Sequence, residues 1–313
     1  MSETSERRVV LAALAGNLCI AITKFGAAWW SGSSAMLSEG VHSLVDTINE
    51  LLLLYGMRQA RKAPDAAHPF GYGRELYFWS FVVALLVLTL GAGVAIWQGV
   101  HHVRDPESMR NPWVNYVVLV ASLVFEGATW RVAFRRFRKS KGEQTWLEAF
   151  RSSKDASTFT VLLEDTAAVA GLAIAFAGVA AAQFLDAPVL DGAASIGIGL
   201  VLIVASVLLL GETKALLIGE AARPEVRADI LRIAEADDGI RSANGVLTSH
   251  MGPRNIVAAL SAEFEDHLDT RQIEACITRV EAAIKQAHPS VRVLFVKPQT
   301  PEKWAERMRS TTD

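Results

Sequence analysis

Cysteine is almost missing from this chain: Cys19 and Cys276 are the two among 313 residues, one in an apolar stretch and one in a polar region. Isolated thiols exclude a disulfide framework and a cysteine-based metal site. Charge is also scarce, at 20% against 51% apolar residues, and mean hydropathy is +0.26. A water-soluble domain of this length normally carries more charge. The net charge of −2 excludes nucleic acid or another bulk polyanion as a partner. No His-Glu-x-x-His pair and no Gly-x-Ser-x-Gly elbow occurs, which speaks against a metallohydrolase or serine hydrolase.

Two stretches lack charge altogether, 24 residues from Leu76 to Gly99 and another run from Gly192 to Gly211. Each is long enough to cross a bilayer as a helix. Four more apolar runs carry isolated polar groups: Val9 to Trp30 with Asn17, Thr23 and Lys24; Ser34 to Tyr55; Trp113 to Phe134 with Glu126 and Arg131; and Ser157 to Ala182 with Glu164 and Asp165. The first follows Arg7-Arg8 as a signal peptide would, but it is too long and lacks a small-residue cleavage site, so it reads as a retained span. The pattern predicts an all-α membrane domain of six transmembrane helices over residues 1–214. Lys and Arg cluster before span one, after span two (Arg58, Arg61, Lys62, Arg74) and after span four (Arg135, Arg136, Arg138, Lys139, Lys141, Arg151, Lys154). The opposite connections hold Arg104 and Arg110 only. Positive charge stays in the cytoplasm, so both termini are expected there. The basic run from Arg135 to Lys141 is suited to anionic lipid headgroups.

After Lys214 the chain turns charged and alternating. Helical spacing over Pro224 to Asp237, strands over Ser242 to His250 and Ile256 to Phe264, a helix over Thr270 to Ala287 capped by Asp269 or Thr270, and a strand over Val291 to Val296 predict a small α+β domain, residues 215–300. Residues 301–313 read as an unstructured tail.

Ionisable groups inside apolar helices are expensive, about 2.5–3.5 kcal/mol for an Asp at mid-bilayer on insertion scales. On span two, Glu39, His42, Asp46 and Asn49 recur at helical spacing and share one face. Span five supplies Glu164 and Asp165. A divalent cation stripped of water needs several converging O and N donors, and two helices can supply them. The competing reading is a hydrogen-bonded His42–Asp46 pair that merely holds helices together. Because adjacent residues point about 100° apart, Glu164 and Asp165 cannot both face one ion squarely, leaving one as a ligand and the other as a partner of Lys24 or a neighbouring helix. Asn17 and Lys24 share a face suited to packing or to neutralising carboxylates, and Glu126 reads as a structural or proton-accepting group. Weaker candidates are a cytoplasmic access site at Asp65 and His68, and regulatory metal binding between subunits through His250, Glu265, His267, Asp269 and His288; solvated loops and surface histidines are the alternative.

The run Gly32 to Asp46 followed by His68-Pro69-Phe70-Gly71-Tyr72-Gly73-Arg74 resembles the second span and following loop of the cation diffusion facilitator family. The likeness extends to six spans, Asp191-Gly192 at the start of span six, and a C-terminal domain. It implies a homodimeric, proton-coupled exporter of divalent metal, most often zinc, in a bacterial inner membrane, with a ferredoxin-like metal-sensing domain and no resident cofactor. The metal pair of span two falls on His42 and Asp46, and that of span five on Val161 and Asp165. Val161 cannot coordinate metal. Glu164 is the substitute, as in a subgroup that Leu162 to Ala168 resembles, with Asn49 as an alternative oxygen donor. One nitrogen among carboxylates is a harder donor set, which brings manganese, iron or cobalt into range. Two other classes stay open: an intramembrane metal-dependent hydrolase and a non-transporting partner subunit.

Overall fold

A computed structural model describes residues 3–141 and 156–310. Arg151 and Lys154, two of the basic residues expected after span four, lie outside the described residues. The chain forms two compact units, one of residues 1–58 and 76–214, the other of residues 59–75 and 215–313.

The first unit is helical: α1 (Glu3–Ser31), α2 (Ser34–Ala60), α3 (Glu75–Arg104), α4 (Pro112–Lys141), α5 (Ala156–Phe184) and α6 (Val189–Ile218). Of these, α3 to α6 are long and apolar enough to cross a membrane. The polar groups of α1 and α2 dilute their hydropathy, although their lengths, 29 and 27 residues, match. The bundle is apolar outside as well as inside. Leu200, Val204, Val207 and Leu208 of α6 are exposed, as are Trp29, Trp30 and Trp113 at helix ends. An outward face of this kind is solvated by lipid rather than water. The core between the helices includes Met36, Val45, Leu119, Leu172, Ile198 and Leu202.

Small residues and caps set the helix positions. Gly32, with φ of +74°, ends α1 in the left-handed region that favours glycine. Ser33 then caps α2, its Oγ accepting from Met36 N at 3.1 Å. Asp191 of α6 completes the cap from another helix, accepting from Ser33 Oγ and Ser34 N, both at 2.6 Å, and from Ser34 Oγ at 2.9 Å. Midway along α3, Val87–Ala92 form a π-helical segment, a widening that is frequent at functional sites.

In the second unit, α7 (Pro224–Glu235) and α8 (Thr270–Ala287) pack on one face of a sheet ordered β1 (Ile240–Gly252), β2 (Asn255–Phe264), β3 (Val291–Pro298). β1 and β2 are antiparallel, while β2 and β3 run parallel and are joined through α8. Ile256, Ala258, Leu260, Ala262 and Phe264 bury every second side chain of β2 against Ile230, Val280 and Ile284. Asp269 and Gln272 form a reciprocal capping box on α8. The helix–strand–strand–helix–strand order agrees with the expected small α+β domain; three strands match the ferredoxin-like expectation only loosely.

The unstructured tail expected from residue 301 is corrected by a helix, α9 (Pro301–Ser310). Its Trp304 lies over Gly245, where a Cβ would come 2.5 Å from the ring. Residues 59–75, expected as a plain connection, group with the second unit. Arg74 donates to Ser249 Oγ at 3.2 Å, and Asn255 Nδ2 donates to Phe70 O at 3.0 Å. A Cβ on Gly73 would stand 2.3 Å from Met251 O, so a side chain there forces the two backbones apart. Gly73→Val is therefore expected to release the segment, read as faster limited proteolysis within residues 59–75. Wild-type cleavage rates would contradict that packing role.

Candidate functional site

The polar stripe of α2 points inward, as its helical spacing predicts. Glu39, His42 and Asn49 are buried, and Asp46 is about three-quarters covered, its side chain 26% exposed. His42 Nδ1 lies 3.5 Å from Asp46 Oδ1, too far for a firm hydrogen bond. Neither ring nitrogen of His42 has a hydrogen-bond partner in the protein, nor does Asp46 Oδ1. Buried polar atoms are ordinarily paired, so these three atoms are open to a further partner. A hydrogen-bonded His42–Asp46 staple is not what the geometry contains.

Asp46 faces a cavity of about 660 Å³ whose walls include Glu50, Glu126, Glu164 and Asp165. The cavity continues along α2 to Met57, about 16 Å further at 1.5 Å per residue. Glu164 also faces His42 across a void of about 10 Å³ that Val87 of the π-helical segment helps to enclose. Glu164 thus stands between His42 and the larger cavity, and Asp165 lines that cavity on the neighbouring strip of α5. Val161 lines the same cavity as an apolar wall.

Asn49 and Glu164, alternatives at the level of sequence, are partners: Asn49 Nδ2 donates to Glu164 Oε1 at 2.9 Å. That bond orients the carboxylate and ties α2 to α5. Among the described residues, no three His, Cys, Asp or Glu side chains are already drawn into a cage that could hold a metal. The donors stand as two pairs, His42 with Asp46 and Asn49 with Glu164, with Asp165 beside them.

Lys24 partners neither Glu164 nor Asp165. It is fully buried and donates to Glu39 Oε2 at 3.0 Å, Ser43 Oγ at 2.8 Å and Glu126 Oε1 at 2.8 Å. Glu39, the first member of the stripe, is thereby engaged. Gly171 on α5 leaves room for it, since a Cβ there would meet Glu39 Oε1 at 2.5 Å. Asn17 donates to Glu50 Oε2 at 3.0 Å. Spacing could put Lys24 and Asn17 on the inner face of α1 but could not choose their partners.

The weaker candidates separate. Asp65 folds its own loop, accepting from Ala67 N at 3.0 Å, His68 N at 2.7 Å and Tyr72 Oη at 2.6 Å. The Tyr72 hydroxyl and these backbone donors hold its carboxyl below the usual range. The His68 ring packs on Tyr72 with centroids 4.2 Å apart. In the C-terminal unit, His250 is buried near Gly252 O at 3.4 Å, His288 Nε2 lies 3.3 Å from Asp229 Oδ2, Glu265 accepts from Arg241 and Asp269 caps α8. His267 is exposed. One chain does not gather these five into a site.

Comparison with known proteins accounts for this architecture. The sequence profile of the cation efflux transmembrane domain matches residues 10–218. The chain is 32% identical to mouse (Mus musculus) "Proton-coupled zinc antiporter SLC30A9, mitochondrial" over 267 residues, 84% of this chain and 47% of that protein. It is 32% identical to Arabidopsis thaliana "Metal tolerance protein C4" over 81% of this chain and 56% of that one. It is 28% identical to the "Cation-efflux pump FieF" of Cronobacter sakazakii over 94% of both chains. The chain spans about half the length of the first two relatives. With a matching profile over two-thirds of its length, apolar helices and a small C-terminal mixed-sheet unit, the chain belongs to the cation diffusion facilitator family of membrane cation-efflux proteins.

Proposed function

We propose that the protein exports a divalent metal cation, zinc foremost, in exchange for protons, through a six-span domain with both termini in the cytoplasm of a bacterial inner membrane, and that it works as a homodimer. The observation that carries this reading is the unpartnered pair His42 and Asp46, set among apolar helices and facing carboxylates on α5. In this reading His42 and Asp46 receive the ion as substrate together with Glu164 and Asp165, which point about 100° apart on α5 and so approach the ion from two sides, Glu164 from the side of His42 and Asp165 from the larger cavity. Asn49 holds Glu164 in place. The zinc antiporters and efflux pumps among the relatives support the class of cargo, while one nitrogen with three carboxylates leaves manganese, iron and cobalt as further substrates.

These ligands bind metal only when deprotonated, so metal and protons are competing occupants of one set of groups. Filled with protons, the site is neutral enough to return across the bilayer; filled with metal, it gives the protons up. A proton gradient thereby drives the ion the other way.

The experiment is zinc uptake into proteoliposomes under an imposed pH gradient, combined with zinc binding to two variants. Glu164→Gln is expected to weaken zinc binding by more than about 100-fold, because a ligand is lost. Asn49→Ala is expected to weaken it about 10-fold, in the range for loss of a group that orients a ligand. Wild-type affinity in Glu164→Gln would remove Glu164 from the site, and absence of gradient-driven uptake by the wild type would defeat the transport reading.

A further inference from the structure

Lys24 is a buried cation that the transport reading does not use. Its side chain lies in the apolar interior of the bundle with no exposed surface. An ammonium has three N–H donors, and Nζ spends them on Glu39 Oε2 (3.0 Å), Ser43 Oγ (2.8 Å) and Glu126 Oε1 (2.8 Å). The three oxygens come from α2 and α4 and enclose the cation arriving from α1. Glu39 is one helical turn from His42, Ser43 follows His42 directly, and Glu126 lines the cavity that also holds Asp46, Glu164 and Asp165. No lysine or arginine among the described residues lines that cavity.

The second oxygens matter as much as the first. Glu39 Oε1 and Glu126 Oε2 are buried without a hydrogen-bond partner in the protein. Each carboxylate gives one oxygen to Lys24 and keeps one idle, so a single tethered charge does not exhaust what the cage offers. A helix-holding ion pair would be expected to satisfy both oxygens.

We propose that the Lys24 ammonium is the permanent, covalently tethered occupant of a second cation site next to the transport site, where it keeps Glu39 and Glu126 from coordinating metal and limits the acidic cluster to one divalent ion. The inference rests on the transport reading for its neighbour, the His42–Asp46 site. Lys24 is a positioning residue: it touches no cargo and acts by filling a place that cargo could take.

Equilibrium zinc binding to the purified full-length protein tests this, counted as a difference so that other zinc sites cancel. Lys24→Gln, neutral and still able to donate, is expected to bind one zinc ion per chain more than the wild type. Lys24→Gln/Glu126→Gln is expected to return to the wild-type number. An unchanged count in Lys24→Gln overturns the inference. If Lys24→Gln does not assemble, its recovery on added zinc supports the inference, because a metal ion then fills the place the ammonium left, and failure to recover with zinc overturns it. A wild-type count that does not fall in His42→Ala or Asp46→Ala instead defeats the transport site, leaving the Lys24 difference to be read by itself.

Discussion

Replacing His42 or Asp46 with alanine is expected to abolish pH-gradient-driven metal transport, a loss of more than about 100-fold, with the protein still folded in the membrane. Loss of a group that only orients a ligand costs about 10- to 100-fold, and these two are read as ligands. Stability gives a second, opposite readout. A buried polar group without a partner is a desolvation cost, of about 1–3 kcal/mol, that an apolar replacement relieves. Because neither His42 nitrogen nor Asp46 Oδ1 is paired within the protein, both variants are expected to melt at or above the wild-type temperature. A structural staple predicts the reverse, a lower melting temperature with transport retained. Thermal unfolding in detergent and zinc uptake by proteoliposomes, measured on the same preparations, separate the two. A His42→Ala protein with full uptake would dismiss the site.

Asp191→Ala should do the opposite, crippling the fold. Its carboxylate, completely buried, accepts from Ser33 Oγ, Ser34 N and Ser34 Oγ at 2.6, 2.6 and 2.9 Å, with Ala35 N at 3.3 Å. It also meets the positive end of α2, where the first backbone N–H groups have no partner within the helix. Truncation leaves several buried donors unsatisfied at once. With hydrogen bonds to a charged group contributing about 1.5–3 kcal/mol each, the loss exceeds about 3 kcal/mol. Little folded protein should be recovered, and what is recovered should melt well below wild type. Asp191→Asn keeps acceptor oxygen but turns an amide N–H2 toward a donor, so an intermediate loss is expected. A wild-type melting temperature for Asp191→Ala would show that α2 is held by its packing alone.

Several features of the fold are legible in the sequence. The inward stripe of α2 is visible because a helix returns the same face every three or four residues, and charged groups inside an apolar run mark themselves by their cost. The start of α8 at Asp269 or Thr270 and the alternation of β2 are similarly local patterns, while the choice of Asp269 and its reciprocal bond with Gln272 come from the structure. Features that depend on a distant partner are not legible there. Residues 301–310 read as a tail because the segment is short and polar, and the surface that receives Trp304, at Gly245, lies on a distant strand. Lys24 was open to several carboxylates by charge, and sequence spacing on α1 carries no information about which of α2, α4 or α5 it faces. In sequence Asn49 and Glu164 are rival ligands because each offers an oxygen; only the approach of α2 to α5 makes one the hydrogen-bond partner of the other.

By itself the sequence determined that this is a helical membrane protein with a small α+β unit after it, that α2 and α5 carry ionisable groups inside apolar runs, and which family the motifs resemble, since composition, periodicity and short motifs are properties of contiguous residues. Tertiary structure alone decided the partners: Lys24 on Glu39 and Glu126 rather than on α5, Asn49 on Glu164, Asp191 on the start of α2, and residues 59–75 on the C-terminal unit. Those choices depend on which helices approach within about 3 Å hydrogen-bond reach, and that is set by packing summed over the whole bundle, not by any local run of residues.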